Sequence, residues 1–281
     1  ITCVASSGRR EGIFIGTQDS RILCISWAGE VIGGVILTAS KLHDHSATNP
    51  VSCIAVCLHH KLIAASLANG CALLCGVAFP QKGVSEEFRC ERLAEIPGDN
   101  VSSLEFSPSV PLLAVGQFNG SLELHSFEAN TLKSERIFST AQWGMPGTVT
   151  GEVSCLQWSP EGKAIAVGWK KSGLSIWSLH GCRFLCTAAD TQQSEAEVLK
   201  SGVITMSWVS RGYGLVAMET AHPSSLTEIS FIKTPPVQST AMHKSDCIAL
   251  MGSSNLWVIT NKYPYTEEFC WSIVQIPAAY I

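Results

Sequence analysis

Apolar side chains recur at every second position in three short runs, Val153–Trp158, Ala164–Trp169 and residues 174–179. That is the period of a half-buried strand and not of a helix. Between the first two runs, Ser159-Pro160-Glu161-Gly162 puts proline at the second and glycine at the fourth position of a type I turn. Lys171-Ser172-Gly173 supplies the next reversal, and residues 182–187, after His180-Gly181, offer a fourth strand. The pattern predicts one four-stranded antiparallel meander.

A single such sheet cannot hide both faces from water, and the pattern repeats. Stretches opening at Val51, Val101, Val153 and Val203 align at steps of 50, 52 and 50 residues, and Ile1 fits the same frame. A weaker sixth frame starts near Cys247. Each copy has a V-S-C/S-I/L-like opening, a turn, an apolar second strand, a Gly-containing turn and a third strand. Four-stranded units repeating every ~40–50 residues predict a β-propeller, in which stacked sheets bury one another's apolar faces. The expected fold is therefore all-β, with about five to six four-stranded blades in a single region spanning residues 1–281.

Composition agrees: 46% hydrophobic and 15% charged residues leave ample material for a core and exclude a disordered chain. The net charge of −4 and the isolated basic pairs Arg9-Arg10 and Lys170-Lys171 give no clustered stripe of the kind nucleic acid or an anionic membrane demands. The apolar run at residues 31–37 is interrupted by two glycines and is far too short for a bilayer of ~30 Å. No secretory signal is recognisable at the start.

Twelve cysteines in a chain of this size read as small hydrophobes rather than a disulfide framework. The C-x3-C pairs Cys53/Cys57, Cys71/Cys75 and Cys182/Cys186 would set two sulfurs on one strand face about 13 Å apart, too far to bond or chelate. His43-Asp44-His45 and His59-His60 lack an accompanying ligand cluster at zinc-site spacing and read as loop histidines. Serine-hydrolase, zincin, dinucleotide and Walker motifs are missing, so no residue is assigned a catalytic, metal or cofactor role. The N-x-S matches at Asn100 and Asn119 fall at a strand start and in an Asn-Gly hairpin turn.

Trp27, Trp158, Trp177 and Trp208 occupy strand-like positions and are expected in the blade core. Trp143, in the loop-like "STAQWGMPGTVT", is a candidate partner anchor. Lys170, Lys171 and Arg183, with Lys163, form a candidate basic contact patch, against the alternative that they are solvated edge residues.

The segment "KAIAVGWKKSGLSIWSLHGCRFLCT", residues 163–187, resembles the propeller region of the ribosome control protein one family. That family supplies the large WD-repeat subunit of a guanine-nucleotide exchange complex for Golgi Rab GTPases. "EGIFIGTQDSRILCISWAGE", residues 11–30, and "WSIVQIPAAYI", residues 271–281, are similar to flanking segments in the same order. The resemblance implies a fragment of a longer chain, pairing with an arrestin-like partner subunit and acting on a Golgi Rab small GTPase in endosome-to-Golgi retrograde transport. It further implies a cytoplasmic chain peripheral to Golgi membranes, a scaffold without cofactor. Two other classes stay open: a generic WD-repeat interaction platform, and a propeller enzyme with its site at a central channel, against which the scattered carboxylates speak.

Overall fold

A computed structural model describes residues 1–6, 12–37, 49–79, 89–96, 100–128, 131–138, 150–181, 183–187, 201–209, 214–220, 226–232, 247–251, 255–261 and 271–277. The chain divides into two compact units, Ile1–Leu156 and Gln157–Ile281.

The first unit holds three four-stranded sheets whose strands pair in sequence order. They are β1 to β4 (Cys3–Ser6, Ile13–Gly16, Arg21–Ile25, Val31–Ile36), β5 to β8 (Val51–Cys57, Leu62–Leu67, Ala72–Ala78, Arg89–Ile96) and β9 to β12 (Val101–Phe106, Leu112–Gln117, Leu122–Glu128, Thr131–Phe138). The turns follow from side-chain chemistry. In "ANG" and "FNG", Asn69 and Asn119 accept the backbone N–H two residues on, and Gly70 and Gly120 both take φ of 85°, which a side chain would resist.

Apolar faces meet between the sheets. Phe14, Ile22 and Cys24 of the first sheet bury against Ile54, Ile63 and Leu73 of the second. Ala64, Leu74 and Ile96 of the second bury against Leu104, Leu113 and Phe127 of the third. The valines that head the second and fourth sheets, Val51 and Val153, each need a small neighbour. A methyl group added to Gly16 would stand 2.9 Å from Val51 Cβ, and one added to Gly116 would stand 2.5 Å from Val153 Cγ1.

In the second unit's sequence range, β13 (Val153–Trp158), which starts in the last residues of the first unit, β14 (Ala164–Trp169), β15 (Leu174–Ser178) and β16 (Arg183–Cys186) form a fourth four-stranded sheet. Then comes a six-stranded sheet: β17 (Val203–Val209), β18 (Gly214–Glu219), β19 (Leu226–Ile232), β20 (Cys247–Met251), β21 (Asn255–Asn261) and β22 (Trp271–Pro277). Here the structure differs from the frame expected near Cys247. β20 pairs antiparallel with β19, Ile232 opposite Cys247, so it continues the fifth sheet instead of opening a sixth. The unpaired edge of β19 accepts an apolar strand whatever its place in the repeat.

The architecture is all-β, built of the repeated four-stranded sheets that characterise a propeller. Among the described residues no helix is long and apolar enough to cross a membrane.

Candidate interaction surface

The turn between β14 and β15 carries Lys170 and Lys171, both exposed. It is held from several sides. Trp169 N–H donates to the Gly173 carbonyl at 3.1 Å, and Gly173 N–H to the Ser201 carbonyl at 2.7 Å. Gly173 (φ 63°) also forms a bridge with Gly202. Gly202 lies so close that a methyl group there would overlap the Lys170 carbonyl oxygen. Its own carbonyl accepts the Thr220 N–H at 2.7 Å, and the Thr187 hydroxyl accepts the Leu174 N–H at 3.0 Å. Two exposed lysines thus sit on a fixed backbone turn, a composition suited to acidic groups rather than to bond-making chemistry.

The other members of the basic patch lie elsewhere. Arg183 is opposite Trp177, which is opposite Ile165, so Arg183 belongs to the end of the sheet where β14 begins. Lys163 precedes that strand and pairs with Glu161 at 3.0 Å, an exposed contact worth about 0–1 kcal/mol. The six residues of β14 separate this end from Lys170 by about 20 Å at ~3.3 Å per residue. By backbone register, Lys163 and Arg183 therefore belong to one end of this sheet, and Lys170 and Lys171 to the other. Trp143 and His43-Asp44-His45 lie outside the described residues.

Three of the four tryptophans sit within the sheets. Trp158 is 4% and Trp177 3% exposed, and the Trp177 indole N–H donates to Ser175 Oγ at 2.6 Å. Trp208 is half-buried, with its indole N–H on the Gln157 carbonyl at 3.0 Å. Trp27 corrects the reading of it as a core residue: it is 57% exposed. β3 ends at Ile25, and the chain reverses through Ser26 N–H on the Glu30 carbonyl and Gly29 at φ 87°, which puts Trp27 in the turn. Trp27 and the 41%-exposed Phe118 of the "FNG" turn are exposed aromatics of the kind that anchor partners, and neither was singled out as a contact by its sequence. Gly29 was the available signal for Trp27.

The thiols are tuned by burial. Cys53 is pushed up to about 12 and Cys24 to about 11 by loss of solvation. Cys75 is held below the ordinary thiol value by the Cys90 thiol, against its burial, with Arg92 assisting, while Cys90 moves up for the same contact. His59 and His60 pack edge-to-face at 4.8 Å, and His60 against Phe127 at 5.0 Å. Among the described residues no group of three His, Cys, Asp or Glu side chains is placed to hold a metal.

Comparison with known proteins follows the same lines. The family model for the anaphase-promoting complex subunit 4 WD40 domain matches residues 104–211. Human guanine nucleotide exchange factor subunit RIC1 is 26% identical over 210 residues, covering 66% of this chain and 15% of that protein. The chain thus spans about one seventh of the length of the curated relative it matches. Among solved structures, the β-propeller domain of Myceliophteria thermophila Cps50 (Swd1) superposes with a TM-score of 0.59 at 10% identity, covering 99% of this chain and 85% of that one. U3-55K gives a TM-score of 0.57 at 14% identity, covering 98% of this chain and 81% of that one. These structures show the fold alone, a WD-repeat β-propeller.

Proposed function

We propose that this RIC1-like WD-repeat chain is a scaffold and interaction subunit of a guanine-nucleotide exchange complex that activates a Golgi Rab GTPase in endosome-to-Golgi retrograde transport. The similarity to the guanine nucleotide exchange factor subunit RIC1 across 210 residues carries the reading. The chain pairs with an arrestin-like subunit, works in the cytoplasm and reaches the Golgi membrane peripherally through the complex.

Exchange requires no nucleophile, acid–base pair or metal. It requires a surface that binds the nucleotide-free GTPase more tightly than the GDP-bound one, so that the population shifts toward release. Rigid sheets bearing fixed turns suit that task, and the braced Lys170-Lys171 turn is the contact we assign to a partner. The test is joint elution of the full chain with the arrestin-like subunit on a sizing column. Co-elution that weakens when Lys170 and Lys171 become alanine supports the assignment, and separate elution of a well-folded chain rejects it.

The family match at residues 104–211 favours a second reading, a WD-repeat platform in another multisubunit assembly. Separate elution would promote it.

A further inference from the structure

His125 lies on β11, on the face of the third sheet that packs against the second, and is 0% exposed. Its Nε2 stands 3.1 Å from Glu123 Oε2. A carboxylate only accepts, so Nε2 carries the proton in the neutral ring. Nδ1 is then a buried lone pair, and it has no hydrogen-bond partner. Glu123 is fixed in turn by Gln117, whose amide N–H donates to Oε1 at 2.7 Å, and Ser121 donates to Gln117 Oε1 at 3.3 Å. A polar chain therefore runs from the "FNG" turn to an imidazole with one nitrogen facing apolar surroundings.

We propose that His125 makes the junction of the second and third sheets a proton-sensitive joint, because a second ring proton would place a buried charge and a buried N–H without an acceptor between them. The neighbours offer no relief. β10 carries no charged residue, and from the second sheet Ala64, Leu74, Leu93 and Ile96 face this side together with the thiols of Cys53 and Cys57, which burial pushes up and keeps neutral. On β12, opposite, Lys133, Glu135 and Arg136 are exposed, as are Glu91 and Arg92 on β8, while Glu95 is half-buried. Glu105 pairs with Ala114 and so takes the other face. His60, against Phe127, is exposed. Only Glu123 acts on His125 directly, favouring the charged ring, and burial outweighs it: the imidazole is held below its ordinary value.

The folded state thus binds fewer protons at this site than the unfolded chain. Stability is full above the unfolded value of about 6.5 and is lost as pH falls below it, by at most tenfold in the folding equilibrium per pH unit for one proton. The experiment follows unfolding of the full chain between pH 7.5 and 5.5, together with amide exchange of β8, β11 and β12 corrected for intrinsic pH dependence. Wild type and His60→Gln should lose stability and protection in parallel as pH falls, while His125→Leu loses that component. Should His125→Leu not fold, nitrogen NMR of the wild-type imidazole decides: a neutral Nε2–H ring persisting at pH 6 supports the joint. A His125 that titrates at or above about 6.5, or a leucine variant with unchanged pH dependence, overturns it.

Discussion

Ser102 Oγ is buried without a hydrogen-bond partner, and the equivalent residue one sheet earlier explains why. Ser52 shares a bond with Ser66 at 2.8 Å, but the third sheet has Gly116 where the second has Ser66. Space for Val153 was gained and the hydroxyl lost its partner. Single residues make two predictions. Trp158→Ala removes a buried indole and should cost about 3–5 kcal/mol in a thermal or denaturant melt. Native alkylation at pH 8 should leave Cys24 and Cys53 unmodified by peptide mass mapping, because raised pKa values near 11 and 12 leave almost no thiolate there. Rapid labelling of either would contradict the burial assigned to it.

At the scale of elements, sheets are joined by close approaches as well as apolar area. Gly116→Ala should destabilise by roughly 1–3 kcal/mol through overlap with Val153, and Val153→Ala in the same chain should recover part of the loss. Additive costs in that cycle would separate the two positions. The alternation of two, the Asn-Gly turns and the valine-headed repeats made the strands legible in the sequence, since each is a local consequence of backbone geometry. Trp27 was not, because Ile25 and Trp27 keep the alternation going past the point where Gly29 turns the chain. The basic patch was misleading for a related reason: Lys163 and Lys170 are close in sequence, but a full strand lies between them. The six-stranded sheet was hidden because pairing of β20 with β19 is decided by a free edge rather than by repeat spacing.

The whole molecule presents a division of labour. Buried valines, glycines and tryptophans hold the sheets, and the turns they fix present exposed groups such as Lys170, Lys171, Trp27 and Phe118. Replacing both exposed lysines by alanine should leave the fold intact in a thermal melt, at a cost of about 1 kcal/mol or less for two surface substitutions. Any loss of function in that variant would then belong to recognition. The most direct test of the proposed exchange role is fluorescent GDP release from a Golgi Rab GTPase by an arrestin-like partner subunit with and without the full chain. Release should accelerate only when both subunits are present. Release that is equally fast without this chain, or not accelerated by the pair, would contradict it.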